Sequence, residues 1–343
     1  MKLPIQPPIA PMLAGLSRAL PTGDQWLYEP KWDGFRALVF WDGAELLIQS
    51  RDLKPLGRYF PELESGLREA LPAPCVLDGE VVIATKKGLD FEALGQRIHP
   101  AESRIKMLAK MTPAEFVAFD LLATGDADLM AKPQAERRAQ LEKLLGKVKD
   151  PLHLTPCSHD RAKAEDWFDR FEGAGLDGVI AKNADEPYQP GARVMLKVKH
   201  QRTVDCVVSG FRWYKDVPNE AIGSFLLGLY DDQGVLHYVG GTSSFKVAER
   251  RELVKFVEPY RGPSGFGQGR TPGEPNRWNS SKDTSWEPVR PELVCEVAFD
   301  HLQGDRFRHG ATFVRWRPDK PPAECTYAQV DEVVPTELRE LFG

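Results

Sequence analysis

Short apolar runs alternate with helically spaced apolar positions over the first two hundred residues. Runs at 26–28, 35–40, 44–50, 76–83, 116–122, 152–155, 176–182 and 194–200 have the length and composition of strands. The segments 61–71, 91–99, 133–145 and 162–171 read as helices. Asp42-Gly43 between two of the strands predicts a hairpin. Asp33-Gly34 predicts a tight turn just after Lys31, with residues 11–14 an apolar segment entering beneath the first sheet. The helix over 133–145 carries mixed charge on its outer face and reads as scaffold.

After residue 204 the texture changes. Strands are expected at 204–208, 224–230, 235–239, 293–297 and 311–316, one helix over 247–260, and a Pro/Gly/Ser/Asn-rich loop over 262–285. About five strands and a helix predict a small barrel of the oligonucleotide-binding type, and a sandwich fragment fits the same pattern. The chain is therefore expected to be α+β with two domains, divided near 200–204. A length of 343 residues with 42% hydrophobic and 28% charged residues is ample for two cores.

The formal net charge of −5 removes any global positive field, so a nucleic-acid partner would have to meet a local basic surface. Such clusters exist in the second half, interleaved with aromatics: Arg212-Trp213-Tyr214-Lys215, Arg306-Phe307-Arg308-His309 and Arg315-Trp316-Arg317-Pro318-Asp319-Lys320. They suit a phosphate backbone better than a membrane, and a solvated basic face is the alternative. Five scattered cysteines with no Cys-x-x-Cys pair argue against a zinc site or a disulfide framework and for a reducing cytoplasm. No run approaches the roughly 20 apolar residues of a spanning helix.

Candidate chemistry gathers around Glu29-Pro30-Lys31-Trp32-Asp33-Gly34-Phe35-Arg36. A lysine held at the mouth of a sheet can act as a nucleophile or a phosphate ligand; an ordinary charged turn is the plain alternative. The hairpin would bring Ser50-Arg51 to the same end. In 76–83 two carboxylates interrupt an apolar strand, which costs several kcal/mol unless they are paired or bind metal. Glu80 is thus a candidate for a ribose hydroxyl or a metal. Phe116 and Phe119 cannot share one face of a regular strand, so one of them faces either core or a pocket that could stack a base. Leu176-Asp177-Gly178 repeats the carboxylate–glycine device, and Lys197 and Lys199 project from one strand face, toward phosphate or simply protecting an edge.

Taken in order, these stretches resemble the motifs of the covalent nucleotidyltransferases, and most closely the small bacterial ATP-dependent DNA ligases of the C type, which are related to the ligase module of the D type. Lys31-Trp32-Asp33-Gly34-Phe35-Arg36 is similar to the nucleophile motif and Ser50-Arg51 to the one after it. Leu77-Asp78-Gly79-Glu80, Phe116 to Asp120, Asp177-Gly178-Val179-Ile180-Ala181-Lys182, Leu196-Lys197-Val198-Lys199 and Arg317-Pro318-Asp319-Lys320 match the rest.

The resemblance implies an antiparallel-sheet nucleotidyltransferase domain over 1–202 and an OB-fold domain over 203–343. It implies that Lys31 takes AMP from ATP as a phosphoramidate, passes it to the 5′-phosphate of nicked double-stranded DNA, and leaves the 3′-hydroxyl to seal the strand. Phe119 would stack on adenine; Glu29, Arg36, Arg51, Glu80 and Lys182 would hold the nucleoside; Lys197 and Lys199 would meet the α-phosphate. Glu80 and Asp177 would serve Mg²⁺, or Mn²⁺, although the family usually has glutamate where Asp177 stands. Arg317, Asp319 and Lys320 would orient pyrophosphate, which requires the domains to move about 200–204. A monomer in the bacterial cytoplasm, at the nucleoid, is expected, with a Ku-like end-binding protein or a polymerase as repair partners. The rivals are an RNA ligase or capping-type nucleotidyltransferase, and a non-catalytic DNA-end-binding module.

Overall fold

The computed structural model describes all residues except 87, 171–175, 200–201, 216, 218, 268–270, 273–284, 301, 331–341 and 343, and the side chains of 170, 177 and 303 are also outside the description. Most of the loop expected over 262–285 lies outside the described residues. Two compact units divide the chain, Met1–His200 with Glu332–Gly343, and Gln201–Asp331. The division falls beside the expected boundary but takes the C-terminal segment into the first unit.

In the first unit β1 (Leu13–Ser17), β2 (Trp26–Trp32), β3 (Phe35–Trp41) and β4 (Leu46–Ser50) precede α1 (Pro61–Ala70) and β5 (Cys75–Val82). The two-residue strands β6 (Ala84–Thr85) and β7 (Gly88–Leu89) lead to α2 (Phe91–Gln96) and α3 (Glu102–Met111). Then come β8 (Glu115–Thr124), β9 (Ala127–Asp128), α4 (Gln134–Leu145), β10 (Leu152–Leu154), α5 (Arg161–Arg170), β11 (Leu176–Asn183) and β12 (Arg193–Val198). Helix α3 is an addition to the sequence reading. Only Ile105 and Leu108 of it are buried, too few apolar positions to register as a periodic stripe.

Apart from the separate β6-β7 pair, these strands form two sheets. One runs β1-β12-β11-β2 and the other β10-β8-β5-β3-β4, with β9 beside β8. The hairpin at Asp42-Gly43 joins β3 to β4 as expected, with Gly43 at φ +92°. Asp33-Gly34 is different. β2 pairs with β11 while β3 pairs with β4 and β5, so the two residues carry the chain from one sheet to the other and make no hairpin. Glycine is needed there for space: a Cβ at Gly34 would lie 2.2 Å from the Val81 carbonyl oxygen and 2.9 Å from Glu80 Cγ. The entry segment likewise becomes strand β1, parallel to β12, instead of a plug beneath the sheet.

Strand β8 resolves the placement of its two phenylalanines. Phe116 is fully buried in the core beneath α1, whereas Phe119 packs with Tyr28, Trp32 and Val179 in the cluster between the sheets. Phe342 reaches the same cluster, edge-on to Trp32 at 6.0 Å between centroids.

The second unit contains β13 (Arg202–Trp213), β14 (Ile222–Tyr230), β15 (Leu236–Thr242), α6 (Val247–Val257), β16 (Glu287–Phe299), the short pair β17 (Leu302–Gln303) and β18 (Arg306–Phe307), and β19 (Thr312–Trp316). Its five-stranded antiparallel sheet has the order β15-β14-β13-β16-β19. The edges meet through Thr242 and Ala311, whose amide donates to the Gly241 carbonyl at 3.0 Å, and this closes an OB-fold barrel. A sandwich fragment is thereby excluded. The aromatics of the basic clusters turn inward: Phe307 is buried, Trp316 packs against Phe225, Phe256 and Phe313, and Trp213 against Phe211. Of their cations Lys215 and Arg315 are exposed, whereas Arg212, Arg306, Arg308, Arg317 and Lys320 are half-buried.

Candidate active site

A cleft between the two sheets of the first unit is lined by Glu29, Lys31 and Trp32 of β2, Arg36 of β3, Glu80 of β5, Phe119 of β8, Lys182 of β11 and Lys197 of β12, with Arg51 just beyond β4. The topology explains the convergence. The Asp33-Gly34 crossing puts Lys31 on one wall and Arg36 on the other, and register pairs Arg36 with Glu80. The hairpin brings Arg51 back so that its amide donates to the Arg36 carbonyl at 3.1 Å. Leu13 and Ala14 of β1, Pro30 of β2, Ile180 of β11, and Arg193 and Met195 of β12 complete the lining; none of them carried a sequence signal as a site residue.

Arg36 is locked in place. Its Nε and Nη2 donate to the two Asp78 carboxylate oxygens at 2.5 and 2.7 Å, and Nη2 also reaches the Met12 carbonyl at 3.2 Å. Asp78 is fully buried and accepts a further bond from the Tyr188 hydroxyl at 2.7 Å. Burial works against the guanidinium charge, and Asp78 more than offsets it, so Arg36 titrates above its ordinary range. The guanidinium carbon stands 4.4 Å from the Phe119 ring centroid, a cation–π contact that fixes the ring. Of the two strand carboxylates flagged in 76–83, Asp78 is thus the paired one and Glu80 the one left facing the cleft.

Glu80 is pushed up to about 7, chiefly by burial; Arg36 and Lys31 pull it down, while Asp33 and Asp78 push it further up. A carboxyl in that state gains from any added positive charge.

Lys182 is almost wholly buried, and its amine is placed for holding protein groups. Nζ lies 2.8 Å from Glu29 Oε2 and donates to the Phe119 carbonyl at 2.7 Å. Trp32 is anchored by Nε1 donating to Thr155 Oγ1 at 2.9 Å. The residues on either side of Lys31 are therefore tied to the scaffold.

Lys199, two residues beyond Lys197, is not among the lining residues. The Asp177 side chain lies outside the described residues, although its backbone belongs to β11. Arg317, Asp319 and Lys320 belong to the second unit. There Arg317 donates to Asp205 at 2.9 and 3.0 Å and to Asp319 at 2.8 Å. Arg317 holds the Asp319 carboxyl down at about 2, and Lys320 pairs with Glu324 at 2.8 Å. Among the described residues, the group of metal-ligating side chains that lie close together is Glu115, Asp150 and His153, outside this cleft.

A lysine in a cleft between two sheets, ringed by arginines, carboxylates and a held aromatic, and followed by an OB-fold barrel, is an arrangement found in the ATP-dependent DNA ligases, and the chain belongs to that family. The ATP dependent DNA ligase domain matches residues 7–199, and the ATP dependent DNA ligase C terminal region matches residues 218–320. The particular relatives are the C-type enzymes. The chain is 50% identical to DNA ligase C of Mycobacterium tuberculosis over 99% of both chains, and 51% identical to DNA ligase C1 of Mycolicibacterium smegmatis over 100% of this chain and 99% of that one. Among solved structures, a mycobacterial DNA ligase D complexed with ATP and MES is similar, with 30% identity, a TM-score of 0.50, and coverage of 93% of this chain and 98% of that one. The resemblance read from the motifs is borne out, as are the α+β class and the order of nucleotidyltransferase core and OB-fold.

Proposed function

We propose that the protein seals nicks in double-stranded DNA through a lysyl-AMP intermediate on Lys31. The observation that carries this reading is the convergence of Lys31, Arg36, Arg51, Glu80, Phe119 and Lys197 on one cleft of a chain in this family. Lys31 Nζ attacks the α-phosphorus of ATP; a P–N bond forms, the bond to the bridging oxygen breaks, and pyrophosphate leaves. The AMP then moves to the 5′-phosphate of the nick, and the 3′-hydroxyl displaces it.

Phe119 supplies the face for adenine, and Glu29, buried and paired with Lys182, accepts from its amine. Lys182 thus serves the nucleotide by holding Glu29 and the Phe119 carbonyl. Arg36, Arg51 and Glu80 orient the ribose and the nucleotide; Lys197, with Lys199, offsets charge on the α-phosphate. Arg317, Asp319 and Lys320 of the OB-fold unit orient the departing pyrophosphate.

Mg²⁺, or Mn²⁺, fits this donor set, because Glu80 is an oxygen ligand whose raised pKa falls when a cation is near. Glu80 would hold it together with Asp177, and a bound cation would polarise the α-phosphate. No helix among the described residues is long and apolar enough to cross a membrane. We assign the protein to the cytoplasm, acting as a monomer at the nucleoid, with a Ku-like end-binding protein or a polymerase as repair partners.

Intact-mass measurement after incubation with ATP tests the first step. A mass increment of one AMP, removed by pyrophosphate and absent in Lys31→Ala, is the expected result. An adduct of unchanged yield in Lys31→Ala refutes the assignment, and sealing of nicked RNA in preference to DNA would favour the RNA-ligase rival.

A further inference from the structure

Helix α4 buries charged as well as apolar side chains. Its buried positions include Gln134, Arg137 and Arg138, so two arginines face inward. Arg137 has an evident partner in Asp120, with Nε and Nη2 donating at 2.8 and 3.1 Å. Arg138 leads to the cleft. Its guanidinium is fixed on two sides, by Nε donating to Glu142 Oε1 at 2.6 Å and Nη2 to the Thr155 carbonyl at 2.9 Å. The remaining nitrogen, Nη1, stands 3.6 Å from Glu29 Oε1. Among the described residues, neither of those two buried atoms has a hydrogen-bond partner. Arg138 itself does not line the cleft, whereas Glu29 does.

We infer that Arg138 is a positioning residue for base selection, fixing the carboxylate of the cleft-lining Glu29 as an acceptor for the purine amine. The inference rests on the reading above, in which the base of ATP lies in the cleft beside Phe119. Adenine carries an amine at the position where guanine carries a carbonyl oxygen, so an acceptor held there favours the first and repels the second. Lys182 fixes only Oε2, which leaves the carboxylate free to turn about that contact. The immobilised guanidinium removes that freedom by attracting Oε1 from a fixed point. Thr155 links the same group to Trp32 through its hydroxyl, so the residues two before and one after Lys31 share one support.

The test is the rate of lysyl-AMP or lysyl-GMP formation against nucleotide concentration, for the full chain and for Arg138→Met and Arg138→Lys, each in the wild-type and Glu29→Ala backgrounds. With one charged contact removed, Arg138→Met should raise KM for ATP and lower the ATP-over-GTP preference by about tenfold each, with Arg138→Lys between it and wild type. In the Glu29→Ala background the same substitution should change the preference by less than about twofold, because the two act as a unit. A preference unchanged by Arg138→Met, or lowered equally with and without Glu29, overturns the proposal. A helix-anchoring role alone would lower thermal stability and leave the preference intact. If Arg138→Met does not fold, Arg138→Gln, which keeps amide donors and removes the charge, is read by the same two outcomes. Failure of the underlying reading shows separately, as wild-type protein that forms no adduct with ATP.

Discussion

Replacing Glu80 by glutamine should make the protein more stable in neutral solution while impairing its first chemical step. Burial raises the Glu80 carboxyl from its ordinary 4.5 to about 7. Below pH 4.5 both folded and unfolded chains hold the proton, and the group contributes no pH dependence. Between there and about pH 7 the folded protein keeps a proton that the unfolded chain releases, so stability falls as pH rises, by about 1.4 kcal/mol per unit. Above about 7 both states are ionised and the loss levels off. The whole penalty is on the order of 3 kcal/mol at most, since Glu80 keeps some contact with solvent. Glutamine has nearly the shape of the protonated acid and never ionises, so it escapes the penalty. Urea denaturation followed from pH 4.5 to 8, in chelator and without nucleotide, should show the two proteins equal at the acid end and the variant ahead by a growing margin up to about pH 7. Added Mg²⁺ should raise the stability of the wild type at pH 8 and leave the variant unmoved. Parallel pH profiles for the two proteins would refute the reasoning, because they would mean that Glu80 carries no desolvation penalty for a ligand to relieve. A destabilised site carboxylate of this kind is the expected trade of stability for function.

Other consequences are more local. Gly34→Ala must displace the Val81 carbonyl and Glu80 Cγ together; we expect a loss of about 1–3 kcal/mol by chemical denaturation, together with a slower Lys31 adduct, and wild-type values for both would count against the crossing geometry. Arg137→Met leaves Asp120 buried without its partner, which should cost about 3–5 kcal/mol, and the double variant with Asp120→Asn should recover part of it. Trp32→Phe removes the bond to the Thr155 hydroxyl and should cost about 1 kcal/mol, seen as a lower urea midpoint with unchanged slope.

Much of the site was legible before any tertiary structure because its signals are local. Strand-length apolar runs, the Asp42-Gly43 hairpin and the succession of motifs from Lys31 to Lys320 depend only on nearby residues, and they suffice for the α+β class and the family, whereas the barrel needed the closure between Thr242 and Ala311. Which residues meet depends on pairing between distant strands, and that is where the readings changed. Asp33-Gly34 has the composition of a turn, yet it crosses between sheets, because β11 and β5 claim the strands on either side of it. Asp78 and Glu80 look equivalent along the strand; only the fold gives Asp78 an arginine and a tyrosine and leaves Glu80 to the cleft. Leu141 and Leu145 give α4 an apolar stripe at its C-terminal half, but the inward turn of Arg137 and Arg138 could not be read from it, since what they cover is a pair of buried carboxylates, Asp120 and Glu29, and charge there is matched by charge. The sequence by itself thus determined what chemistry the chain carries and in what order, whereas the tertiary structure alone decided which charges are neutralised by the protein and which remain for a nucleotide, because desolvation and pairing are properties of neighbours in space.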